Sequence, residues 1–146
     1  MTPDYPRLNF PAVKLRISQR GEQTTVWDPL RGIYLVLTPE EWVRRHLIGF
    51  LISHCGAQPM RIVQEYAMNG SPQRADVVVV DDRACPLMLV ECKAAGIGID
   101  RQVLAQAVRY NSVLGARYVV LTNGLVHYCY EYAEGRYTRM DRFPRL

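Results

Sequence analysis

The sequence contains no C-x-x-C pair, no G-x-x-x-x-G-K-[ST] loop, no Ser/Gly linker, no internal repeat and no low-complexity tract. Each absence removes a class. Four scattered cysteines (Cys55, Cys85, Cys92, Cys129) lack the paired spacing of a zinc site, and the adjacent His54-Cys55 does not supply it, so free thiols in a reducing cytoplasm are expected. Without a phosphate-binding loop, and with 146 residues in all, there is no room for a helicase motor. No apolar run approaches the ~20 residues that cross a bilayer, and the opening M-T-P-D-Y-P is unlike a secretory signal, so a cytoplasmic protein away from membranes is expected. The missing linker predicts one domain over residues 1–146.

What is present suits a packed core: 49% of residues are hydrophobic, and a net charge of +4 gives a mild bias toward polyanions such as nucleic acid. Residues 1–37 carry Pro3, Pro6, Pro11 and Pro29 around short alternating pieces at 14–18, 24–27 and 32–37, which suit short strands in a β-rich N-terminal extension packed on the core. T-P-E-E (38–41) is a helix start, with Thr38 as cap, Pro39 at the first helical position and Glu41 completing a capping box. Trp42, Val43, His46, Leu47, Phe50 and Leu51 then recur at helical spacing to about residue 54. Residues 61–67, 75–80 and 87–93 read as three consecutive strands of a meander, separated by the turn chemistry of N-G-S-P and D-D-R-A-C-P. A second helix over roughly 100–114, with Val103, Leu104, Ala107, Val108 and Leu114 as its apolar face, stops at Gly115, and two strands follow at 117–122 and 125–132. The expected architecture is α/β (α+β): helix, three strands, helix, two strands over a core at 38–132, then an Arg-rich tail at 133–146.

Within L-M-L-V-E-C-K-A (87–94), strand alternation puts Glu91 and Lys93 on one face and Cys92 on the other. A hairpin through Asp81 and Asp82 brings Asp76 beside them. Flanked by V-V-V-V and L-M-L-V, these charges are headed for the interior, where they require a counter-ion, mutual pairing or a metal. One reading is metal-assisted phosphodiester hydrolysis: Asp76 and Glu91 as hard oxygen ligands for Mg2+ (or Mn2+), the Cys92 backbone carbonyl as a further ligand, and Lys93 to orient water and stabilise charge on phosphate. The other is a buried Asp–Lys–Glu pairing network that fixes strand register.

R-A-D-V-V-V-V followed by L-V-E-C-K-A resembles the PD-(D/E)xK nuclease superfamily, and specifically the N-terminal nuclease domain of type I restriction enzyme R (HsdR-like) subunits and their small stand-alone relatives. The similarity covers roughly residues 38–130. It implies a restriction-endonuclease-like core, a central mixed sheet flanked by helices, and a Mg2+-dependent DNA nuclease in which Asp76, Glu91 and Lys93 are the catalytic trio by motif position. Q-A-V-R-Y (106–110) is similar to the Q-x-x-x-Y element that follows the E-x-K strand in such nucleases, where it is associated with the site rim and DNA; Gln102, Gln106 and Tyr110 fall at i, i+4 and i+8 on the helix. The family often places an acid on the first helix. Glu41 suits the capping box, whereas Glu40 borders the apolar stripe and is spaced to pair with Arg44, which makes Glu40 the preferred accessory carboxylate. The Pro that precedes the Asp in the family's pattern is absent: Ala75 stands there, after Arg74.

Arg74 and, in the tail, Arg136 and Arg139 are candidate nucleic-acid contacts, although a solvated, frayed terminus is the plainer reading of residues 136–146. The resemblance makes DNA the expected partner, with a separate helicase or restriction-modification subunit as a second. The lack of a motor also leaves room for a non-catalytic module of the same fold that binds nucleic acid or a partner protein.

Overall fold

The computed structural model describes residues 5–146; residues 1–4, with Pro3, lie outside the described residues. The alternating lead-in forms a three-stranded antiparallel sheet of β1 (Ile17–Arg20), β2 (Gln23–Asp28) and β3 (Ile33–Val36). The first strand sits C-terminal to the expected 14–18 because the Gly21-Glu22 turn sets Arg20 opposite Gln23, and regular pairing runs back only to Ile17.

Helix α1 (Pro39–His54) starts where expected, its Thr38 hydroxyl accepting the Glu41 N–H at 3.0 Å. The reciprocal half of the capping box is not made. The Thr38 N–H donates instead to the Val36 carbonyl, and the Glu41 carboxylate turns inward to Arg44 and Arg45. The helix flank opposite the apolar stripe is thereby buried as well, under the three-stranded sheet and β4 (Ile62–Ala67). Arg45 reaches fully buried Asp28 of β2 at 3.0 Å, and Asp28 also accepts from Arg31 at 2.6 Å and from Gln64 of β4 at 2.9 Å. This ionic cluster fastens the N-terminal sheet to α1 and to the edge of the main sheet.

That sheet has six strands in sequential order, β4, β5 (Arg74–Val80), β6 (Pro86–Cys92), β7 (Tyr118–Thr122), β8 (His127–Ala133) and β9 (Arg136–Met140). Only β6 and β7 run parallel. A parallel neighbour requires a crossover, which α2 (Arg101–Leu114) provides. Asp100 caps α2 by accepting from Gln102 and Val103, and Gly115 ends it in the left-handed region at φ +67, where a side chain would be strained. The sheet separates two apolar clusters: Val43, Leu47 and Leu51 of α1 pack with Val77, Val79, Met88 and Val90, while Val78, Leu89, Val119 and Leu121 lie under α2. Val108 stays half-buried and Asn111 goes inside in its place, bonded to both backbone polar groups of Ala116 and to the Tyr137 hydroxyl.

The tail is built rather than frayed. Glu134 and Gly135, both at positive φ, form the two-residue turn that hairpins favour, so residues 136–140 become a third strand after α2 where two were expected. Beyond it Phe143 and Leu146 pack on the α1 cluster, and the Leu146 N–H bonds the Cys55 carbonyl at 2.7 Å. All four cysteines are free, and among the described residues no helix is long and apolar enough to cross a membrane.

Burial works against the charge of Asp28, but Arg31, Arg45 and Gln64 outweigh it and hold its carboxyl below the usual carboxylate range. A lowered folded-state pKa contributes stability that is present above the unfolded value of 3.8 and is lost as pH falls through the folded value. Asp28→Asn is expected to cost about 1–3 kcal/mol in urea unfolding near neutral pH, because Arg31 and Arg45 lose a buried counter-charge and Glu41 alone is left to pair with Arg45. The difference from the parent protein should shrink as the medium is acidified.

Candidate active site

The β5–β6 ladder ends at Val77 opposite Val90, so the next backbone N–H groups need other acceptors. Two carboxylates supply them. Asp76 accepts the Cys92 N–H at 2.8 Å, and Glu91 accepts the Asp76 N–H at 3.4 Å. Each acidic side chain thus closes the end of the neighbouring strand, which sets the two side by side. N–H and C=O of one strand residue face the same neighbour, so the Cys92 carbonyl also lies on the β5 side.

Glu91 is 7% exposed, and its Oε1 is buried with no hydrogen-bond partner. Burial first, then the hydrogen bond and charge of Asp76, push its carboxyl far above the usual carboxylate range, against a smaller opposing pull from Lys93. An orphaned buried carboxylate oxygen is costly and calls for a partner. A divalent cation fits: two hard oxygen donors stand together, and a cation would offset the like charges. Among the described residues no group of three or more His, Cys, Asp or Glu side chains gathers in metal-holding geometry. Two carboxylates would then be the side-chain ligands on offer, a set that Mg2+ accepts because it keeps several waters and takes phosphate oxygens.

These groups line a polar cavity of about 90 Å3, which also receives Glu40 from α1, Arg74 from β5, Lys93, and Val103, Gln106 and Tyr110 from α2. The volume has room for several waters. Lys93 is half-buried and enters no ion pair among the described residues, which include Asp76 and Glu91. The Asp–Lys–Glu pairing network is not formed. Glu40 feels the site, since partial burial and then the charge of Asp76 raise its carboxyl pKa. It does not pair with Arg44 as its spacing suggested, because Arg44 is drawn to buried Glu41 and toward Glu65, 3.9 Å away.

In α2, Gln106 donates to the Tyr110 hydroxyl at 2.6 Å, whereas Gln102 lies exposed outside the cavity. Arg136 and Arg139 sit on β9, three strands from β6, and neither lines the cavity; Arg139 stacks 4.6 Å over the Tyr128 ring. Two neighbours are not read from the sequence as parts of the site. Arg44 adds a buried positive charge that feels Asp76. Glu65, in β4 next to the Gln64–Val77 pair, adopts φ +53, rare for a side chain with Cβ, and its carbonyl accepts from Arg74 at 3.4 Å. Larger cavities of about 350 and 410 Å3 lie elsewhere, but neither combines paired carboxylates with a lysine.

Residues 39–144 match the family model described as type I restriction enzyme R protein N terminus, a span that extends past the expected limit near 130 to include β9. A solved fragment assigned to an HsdR subunit of a type I restriction enzyme from Vibrio vulnificus YJ016 is similar in fold, with a TM-score of 0.58 and 24% identity over 74% of this chain and 24% of that one. The chain spans about a quarter of the length of that relative. No curated protein matches it.

The raised pKa of Glu91 makes a sign-specific expectation for the metal-free protein. A carboxyl whose folded value exceeds its unfolded value of 4.5 contributes stability below that value and loses it as pH rises through the window toward the folded one. In chelator, the parent protein should lose stability between about pH 5 and pH 8 relative to Glu91→Gln, which cannot ionise there. Urea midpoints at the two pH values check this, and parallel changes in both proteins would contradict it.

Proposed function

The chain belongs to the type I restriction enzyme R N-terminal family, and from that premise we propose that it is a Mg2+- or Mn2+-dependent DNA nuclease domain with Asp76, Glu91 and Lys93 as its reacting groups. The observation that carries the reading is the partnerless Glu91 Oε1 beside Asp76, in one cavity with an ammonium that pairs with neither.

On this reading Asp76, Glu91 and the Cys92 carbonyl hold the cation, which when bound supplies Lewis-acid stabilisation of the attacked phosphate. Lys93 orients the water and holds charge as it develops on the phosphate oxygens. Its neighbours divide the remaining work. Arg74 meets the backbone of the nucleic acid, and Tyr110 fixes the amide of Gln106 at the rim. Glu40 biases the site from α1 as an accessory carboxylate. DNA, and the other subunits of a type I restriction enzyme, are the partners this reading implies.

Calorimetric titration with Mn2+ should give saturable uptake that Asp76→Asn and Glu91→Gln each abolish. Lys93→Ala should retain the fold and the metal, and lower the rate of DNA cleavage about 10²–10³-fold. Uptake without cleavage in the parent protein would make it a binding module of the same fold. Unchanged cleavage in Lys93→Ala would remove the lysine from the chemistry.

A further inference from the structure

The three-stranded sheet lies outside the span that matches the family, so its use is not inherited from it. Its two faces differ. Val26 and Asp28 are fully buried, with Asp28 bonded to Arg45 of α1, which turns the alternating residue Trp27 and its cross-strand partner Tyr34 to the opposite face. The two rings stand 5.0 Å apart and are half-buried. Arg16 lies 5.5 Å from the Trp27 centroid, and Arg20 lies 4.6 Å from that of Tyr34. Both arginines are exposed, and neither enters an ion pair among the described residues. The strands bring no carboxylate to this face; Glu22 stands in the turn beside it. A cavity of about 160 Å3 opens next to the edge of Trp27 toward α1, with Lys14 and Arg16 at its rim and apolar Leu15, Leu30, Ile48 and Ile52 in its wall.

We propose that this face binds single-stranded nucleic acid, with bases stacked on Trp27 and Tyr34 and phosphates held by Arg16, Arg20 and Lys14. Aromatic rings interleaved with cations are the arrangement that single strands recognise without sequence preference, because every base offers a π-face. An exposed cation–π stack is weak, whereas an arginine–phosphate contact is charge-assisted and bidentate, so the guanidinium groups swing from ring to phosphate as bases take their place. The two unmatched arginines disfavour an apolar partner on the open face, and the paired rings set between them suit stacked bases, which an acidic protein surface lacks. The proposal does not rest on the nuclease reading.

The sequence holds two tryptophans, Trp27 and Trp42, so Trp42→Phe leaves Trp27 as the sole reporter. Titration of that variant with an oligo-dT of about 15 nucleotides should quench its fluorescence saturably, more weakly as salt rises. Arg16→Ala with Arg20→Ala should lower the affinity about tenfold or more. With the titration carried out in EDTA, Arg83→Ala, an exposed arginine in the turn between β5 and β6, should leave it unchanged, which separates the two named arginines from a general loss of charge. Anisotropy of labelled oligo-dT with the otherwise unsubstituted protein and its double-arginine variant gives the same comparison should Trp42→Phe not fold. Absence of saturable quenching, equal binding by the arginine variant, or tighter binding of duplex than of single strand would each overturn the proposal.

Discussion

Two carboxylates at the point where a β-ladder runs out set the logic of this protein. Strand pairing between β5 and β6 stops at Val77 and Val90, and Asp76 and Glu91 take over as acceptors for the backbone that follows. The arrangement is stable only because the rest of the fold leaves no alternative. Valines follow Asp76 on one strand, Leu89 and Val90 precede Glu91 on the other, and β7 lies against the far edge of β6. The two acids cannot separate without dismantling the centre of the sheet, so the tension appears as a raised Glu91 pKa and as an oxygen with no partner.

A second ionic assembly on the other side of β5 holds the surroundings in place. Asp28, Glu41, Arg44, Arg45 and Gln64 join three separate segments through buried charge–charge and charge–amide contacts. Such clusters add little net stability compared with apolar packing, but they punish any shift of one member. Here a shift would move the start of α1, and with it Glu40, relative to the carboxylate pair. The positive φ of Glu65 belongs to the same economy: its side chain serves Arg31 at 2.9 Å while its carbonyl accepts from Arg74 at the cavity wall.

Much of this was legible because it is local. The cap at Thr38, the stop at Gly115 and the shared face of Glu91 and Lys93 follow from spacings of a few residues, and the meander follows from two turns with clear chemistry. What sequence could not reveal depended on partners far along the chain. Glu41 reads as half of a capping box until Asp28 and Gln64, from other segments, bury the flank it occupies. Glu40 and Arg44 have the right spacing for a pair, yet a deeper carboxylate one position away captures the arginine. Strand β9 escaped because Glu134-Gly135 lacks an asparagine or aspartate before its glycine, and because arginine-rich residues with a chain end nearby look solvated until Tyr137 and Phe143 are seen against the core.

The identity of the cation beside the carboxylates is informative in its own right. Of the 18 basic residues only Lys14 and Lys93 are lysines. An arginine at position 93 would offer a planar fork to two adjacent carboxylates, and the bidentate pair would neutralise them and occupy the cavity. A lysine presents a compact charge on a flexible stem and leaves both acids available, which agrees with the unpaired ammonium at this site. On the proposed reading that restraint is the functional requirement. The carboxylates must stay under-satisfied so that a divalent ion completes them, and Lys93 must stay uncommitted until water and phosphate arrive.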